Sequence, residues 1–161
     1  MDGRKAILWG GSISAAQCEG AWDEGGKSPV ESDYAECSGS NGRFKKVAYR
    51  DAAGNLHEDP VPCWNVIPPG GIERIEKEGA YYPYRQGIDF YHRYREDIAL
   101  FAEMGFQSLN LSISWARIMP YGIDGGVNRE GVAFYRGVFE ELGKYGIEPI
   151  VTLFKYDMPC A

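Results

Sequence analysis

Ala102-Glu-Met-Gly-Phe-Gln-Ser-Leu-Asn-Leu-Ser-Ile-Ser-Trp115 is the stretch on which the fold turns. An apolar helical stripe runs into a glycine, and an alternating run leaves it. Upstream, Phe90, Tyr94, Ile98, Phe101 and Ala102 recur at helical spacing, and Gly105 stops the helix where a left-handed residue is wanted. Downstream, Leu109, Leu111 and Ile113 point one way while Asn110, Ser112 and Ser114 point the other, the period of a strand. The unit then repeats. A turn over 121–126 leads to Asn128, which can cap a second helix striped by Val132, Tyr135, Val138, Phe139, Leu142 and Tyr145. Gly146 ends that helix, and Ile147-Glu-Pro-Ile-Val-Thr-Leu-Phe154 reads as another strand.

Strands joined through helices pair in parallel, because a crossover returns the chain to the same end of the sheet. Polar residues at the ends of successive strands predict an α/β fold of the (β/α)8 barrel type, whose sites lie at the carboxyl ends of its strands. This chain would supply about three of the eight strands. A doubly wound nucleotide-binding sheet is the competitor, but it needs Gly-x-Gly-x-x-Gly at the first strand–helix turn. Gly10-Gly-Ser-Ile-Ser-Ala15 does not supply it.

The first strand is placed in Ala6-Ile-Leu-Trp-Gly-Gly-Ser-Ile-Ser-Ala-Ala-Gln-Cys-Glu-Gly-Ala-Trp22. Its apolar run, Ala6 to Trp9, meets two permissive glycines and then delivers Gln17 and Glu19. Gln17 both donates and accepts hydrogen bonds, which suits a ligand made of hydroxyls. From about 23 to 84 the chain reads as one long polar loop with turn chemistry at 38–42 and 68–71. Its charge run, Glu73-Arg-Ile-Glu-Lys-Glu78, reads as a solvated face. His57 and His92 have no neighbouring ligand pattern and are read as ordinary surface residues.

A net charge of −6 and the lack of any basic stripe argue against a nucleic-acid partner. No stretch approaches the roughly 18 apolar residues of a membrane helix. Met1-Asp-Gly-Arg-Lys5 has no apolar region behind it, so no signal peptide is expected. Cys18, Cys37, Cys63 and Cys160 lack metal-like spacing and are expected as free thiols of a cytoplasmic protein.

Four blocks in order resemble family 1 glycoside hydrolases, the β-glucosidase family. They are the opening to Trp22, Ile88 to Gly105, Ser112 to Ile118, and Gly146 to Leu153. Gln17-Cys-Glu-Gly-Ala-Trp-Asp-Glu-Gly-Gly-Lys27 is most similar to the branch acting on 6-phospho-β-glucosides. The resemblance implies that residues 1–161 are the N-terminal portion of a single barrel domain. It also implies hydrolysis of β-glycosidic bonds by retaining double displacement, with no metal and no organic cofactor. Two carboxyl groups about 5–5.5 Å apart carry that chemistry. In the family they follow strands four and seven, beyond this chain, so no catalytic residue is assigned here and the chain alone is expected to be inactive.

What remains is the sugar side of the site. By resemblance, Gln17 would hydrogen-bond sugar hydroxyls, Glu19 would brace the strand end, and Trp115 and Arg117 would support the barrel mouth. Lys155 and Tyr156 stand where the family carries a histidine and an aromatic residue, and Asn110 stands where it carries an arginine. If Asn110 and Lys155 are neighbours across adjacent strands, the site keeps one cation but moves it. The implied partner is a β-glucoside or its phosphorylated form. The competing reading is a non-catalytic remnant or sugar-binding protein of the same fold.

Overall fold

The computed structural model describes residues 7–38, 44–60, 73–155 and 157–160. Tyr156, Cys63, Ala6 and most of the two turn signals at 38–42 and 68–71 lie outside the described residues. The chain begins with strand β1 (Gly10–Ile13), a one-turn helix α1 (Ala15–Cys18) and a 3₁₀ turn (Glu31–Tyr34). Strands β2 (Glu36–Ser38), β3 (Phe44–Arg50), β4 (Leu56–Pro60) and β5 (Glu73–Ile75) follow. Helices α2 (Pro83–Gln86) and α3 (Phe90–Glu103) lead to strand β6 (Ser108–Ser112). Helices α4 (Trp115–Ile118) and α5 (Arg129–Lys144) then lead to strand β7 (Glu148–Thr152).

β1, β6 and β7 form a parallel sheet in that order, with Gly10 opposite Ser108 and Ser108 opposite Glu148. The two long helices pack on each other and on one face of the sheet. Phe90, Tyr94 and Ile98 of α3 and Phe134, Tyr135, Val138 and Leu142 of α5 meet Leu109 and Leu111 of β6. Burying a leucine of this kind is worth about 1.5–3 kcal/mol, so the alternating stretch anchors the core. Asn128 caps α5 as its position suggested, accepting from Glu130 N at 3.1 Å. Gly105 and Gly146 take φ of +81° and +66°, the left-handed turn out of each helix. Tyr145, assigned to the α5 stripe, is exposed instead, because the helix has ended at Lys144; Phe134 takes a core place that the stripe omitted.

The first strand lies later than expected. Ile7, Leu8 and Trp9 are exposed, and pairing starts at the glycines. Close approach explains the shift: a Cβ on Gly10 would stand 1.9 Å from the Ser108 carbonyl oxygen. Only a glycine lets the two backbones meet there.

The expected long loop carries a second, antiparallel sheet. β3 pairs with β4 on one edge and with β2 and β5, end to end, on the other. The charge run is solvated along its glutamates, with Glu73, Glu76 and Glu78 exposed, but it is more than a solvated face. It contributes β5, and Lys77 Nζ joins Glu36 at 3.1 Å and Glu58 at 2.8 Å across the sheet. Arg85 of α2 ties the end of β5 to the opening segment, donating to Glu76 at 3.0 Å and from Nε to the Asp33 carbonyl at 2.7 Å while its guanidinium lies 3.9 Å from the Trp22 ring centroid.

Among the described residues β7 has no outer partner strand, and Ile150, Val151, Leu153 and Phe154 are exposed. An open edge beside apolar side chains is a template for pairing with another chain. The 161-residue chain is therefore expected to self-associate as its concentration rises, and Val151→Lys is expected to suppress this. Sedimentation analysis checks both; a wild-type mass that stays monomeric at every concentration would count against the expectation.

Candidate functional site

The parallel strands all exit at one end of the sheet, and the candidate residues gather there. β1 passes directly into α1, whose Ala15 N donates to Ser112 Oγ at 2.8 Å, joining the exits of β1 and β6. Gln17 is exposed on α1. Ser14 Oγ donates to Gln17 Oε1 at 2.7 Å, which fixes the amide while its N–H donors find no protein acceptor among the described residues.

Below Gln17 lies a buried polar lock. Glu19 accepts from Arg117 Nε at 3.0 Å through one oxygen and from the Tyr135 hydroxyl at 2.5 Å through the other. The Tyr135 oxygen in turn accepts from Ser114 N at 2.6 Å. Arg117, fully buried, spends its remaining donors on the carbonyls of Gly20, Ala21 and Glu24, each at 3.3 Å. Its guanidinium lies 4.2 Å from the Tyr91 ring centroid. Burial, then the Glu19 charge, pushes the Tyr135 hydroxyl well above its ordinary pKa, so it stays a donor. With both oxygens engaged, Glu19 is not free to transfer protons.

The structure thus brings Glu19 and Arg117 together. Trp115 opens α4 half-buried. Asn110 sits half-buried in β6 opposite Ile150, its Oδ1 accepting from Thr152 Oγ1 at 3.3 Å. Lys155 is exposed, five residues beyond Ile150, and among the described residues no hydrogen bond joins it to Asn110. The strand partner of Asn110 is Ile150 and its hydrogen-bond partner is Thr152, so Lys155 is not its cross-strand neighbour.

Sequence reasoning missed Tyr135 as a polar group, because its stripe position marks it as core and nothing local announces a carboxylate partner. It also missed Lys27 and Asp33, a buried pair at 2.7 Å inside the supposed loop. Burial raises the Asp33 pKa even against the Lys27 charge. Both histidines have carboxylate partners after all: His57 lies 2.9 Å from Asp51, and His92 lies 2.7 Å from Asp89 and 3.2 Å from Glu24. The Asp89 hydrogen bond raises the His92 pKa. Among the described residues no three His, Cys, Asp or Glu side chains are grouped to hold a metal. At the strand exits the Gln17 amide can therefore hydrogen-bond a polar ligand, while the Glu19 carboxylate beside it is already engaged.

A family model described as glycosyl hydrolase family 1 matches residues 73–161. Aryl-phospho-beta-D-glucosidase BglA of Bacillus subtilis is 42% identical over 155 residues, which are 96% of this chain and 27% of that protein. 6-phospho-beta-glucosidase AscB of Escherichia coli is 39% identical over 96% of this chain and 28% of its own length. Among solved structures, the psychrophilic beta-glucosidase BglU of Micrococcus antarcticus superimposes with a TM-score of 0.61 at 31% identity, over 95% of this chain and 24% of that one. The chain spans about a quarter of the length of the curated relatives it matches.

Arg117→Met is expected to lower the unfolding free energy by about 3–5 kcal/mol, since it strands the Glu19 charge in the interior. Glu19→Leu combined with Arg117→Met is expected to cost less than Arg117→Met alone. Urea midpoints for the two variants check this, and a double variant weaker than the single would refute the lock.

Proposed function

The chain belongs to glycosyl hydrolase family 1, and on that premise we propose that it forms the amino-terminal portion of a retaining β-glycosidase acting on 6-phospho-β-glucosides. Its fold class is the (β/α)8 barrel, of which it supplies three parallel strands in sequential order. In this reading, residues 1–161 are part of one barrel domain.

The observation that carries the reading is the delivery of Gln17 and Lys155 beyond the exits of two parallel strands, with Asn110 on the strand between them. A barrel binds its substrate at that end. The Gln17 amide offers two donors to sugar hydroxyls from a carbonyl already held by Ser14. The Glu19–Arg117–Tyr135 lock holds the end of α1, the helix on which Gln17 stands, so the amide meets its ligand with little left to order. Two carboxyl groups about 5–5.5 Å apart, one protonating the leaving group and one attacking the sugar, would come from later strands. Neither step requires a metal or an organic cofactor.

The phosphorylated substrate class is supported by relatives named aryl-phospho-beta-D-glucosidase and 6-phospho-beta-glucosidase. No described helix is long and apolar enough to cross a membrane. We place the protein in the cytoplasm, where a sugar phosphate too polar to cross a bilayer would be retained after uptake.

The test is a hybrid in which this chain replaces the matching quarter of the Bacillus subtilis relative. The hybrid is expected to hydrolyse p-nitrophenyl β-D-glucoside 6-phosphate, whereas the 161-residue chain alone is not. Gln17→Ala is expected to lower kcat/KM of the hybrid by about 10–100-fold, the usual effect of removing hydrogen bonds to a substrate hydroxyl. A folded hybrid that binds the sugar phosphate without turning it over would favour the sugar-binding reading instead.

A further inference from the structure

Asp157 is 1% exposed, and neither of its carboxyl oxygens has a hydrogen-bond partner among the described residues. The charged groups facing it are Glu19 beyond α1, Lys27 and Asp33 from the segment before and within the 3₁₀ turn, and Arg117 from α4. Both cations are already committed, Lys27 to Asp33 at 2.7 Å and Arg117 to Glu19 at 3.0 Å. Three buried carboxyl groups therefore share two buried cations. A buried carboxylate without a partner costs far more than the neutral acid, so the site favours a retained proton. Burial, reinforced by the Glu19 charge, pushes Asp157 up to about 7.

The residue has a mechanical position as well. Just after it, Pro159 forms an antiparallel bridge with Val30, and Cys160 N donates to the Pro29 carbonyl at 2.9 Å. Lys155 stands exposed two residues before it.

We propose that Asp157 is a proton-operated latch: as the neutral acid it seats residues 157–160 against Pro29 and Val30, and loss of its proton to solvent releases them. The latch does not rest on the glycosidase reading. Between about 4 and about 7 the folded chain keeps a proton that the unfolded chain has lost, so rising pH works against the seated state across that window. Asp33, also raised by burial, acts in the same direction, and Asp157→Asn isolates the latch from it.

The experiment compares urea midpoints of the wild-type chain and Asp157→Asn, at low protein concentration, from pH 4 to pH 8.5. The two are expected to coincide near pH 4 and to separate as pH rises, with the asparagine variant the more stable above pH 7. Hydrogen exchange of the Cys160 amide, corrected for intrinsic rates, is the second readout. Its protection in the wild type is expected to fall by roughly tenfold or more between pH 5.5 and pH 8.5. A gap that does not change with pH, or a variant weaker above pH 7, overturns the latch. If the variant does not fold, exchange in the wild type decides alone, and equal protection at both pH values overturns it. Neither readout involves a sugar, so failure here and failure of the glycosidase reading are distinct results.

Discussion

One buried guanidinium holds the exit end of the sheet together. Arg117 stands on a four-residue helix too short to persist alone, yet it reaches Glu19 and the carbonyls of Gly20, Ala21 and Glu24 in the opening segment. It also lies over Tyr91 of α3 and near Phe134 of α5. Taking such a cation out of water costs several kcal/mol, and the cost is offset only when the donors find acceptors in good geometry. That condition is met here, and it dictates the path of the 19–24 turn, because three of its carbonyls must point inward. The turn that follows α1, and with Glu19 the end of the helix that carries Gln17, is therefore held in place by satisfying Arg117.

The helices and the parallel sheet were legible because their signals are local. A stripe such as Phe90, Tyr94 and Ile98 needs only its own spacing to be read, and Asn128 needs only the helix it caps. The resemblance marked Glu19 and Arg117 as separate supports, but not the lock they form, since they are 98 residues apart and neither announces the other. β1 was misplaced because hydrophobicity was weighed above geometry. Gly10 carries the real signal, a strand that must approach its neighbour more closely than a side chain allows, and Gly11 leaves room for the Phe106 ring.

The second sheet went unread although one of its parts was visible. Asp51-Ala-Ala-Gly-Asn55 is turn chemistry, and Asp51 accepts from Ala53 N and Asn55 N, both at 2.9 Å, to close the β3–β4 hairpin. What hid the sheet was its charge. Strands rich in Lys and Glu look solvated until their partners are known, and Lys77 bridging Glu36 and Glu58 is a pairing only the fold supplies. Small sheets of this kind gain stability from cross-strand pairs more than from a deep core. Ala35 and Val47 are its only clustered fully buried apolar residues among those described.

The same distinction between local and distant bears on Asn110. A cation at Lys155 could replace one at position 110 only if the two stood within a few ångströms of the same point. Lys155 lies five residues past the strand partner of Asn110, up to about 16 Å of extended chain, with its side chain in solvent. Asn110 instead accepts from Thr152 on the neighbouring strand, a neutral pairing that fills the place with hydrogen bonding and leaves no charge to balance. The inner face of β6, with Ser108 and Ser112 beside Asn110, is therefore a neutral hydroxyl and amide surface.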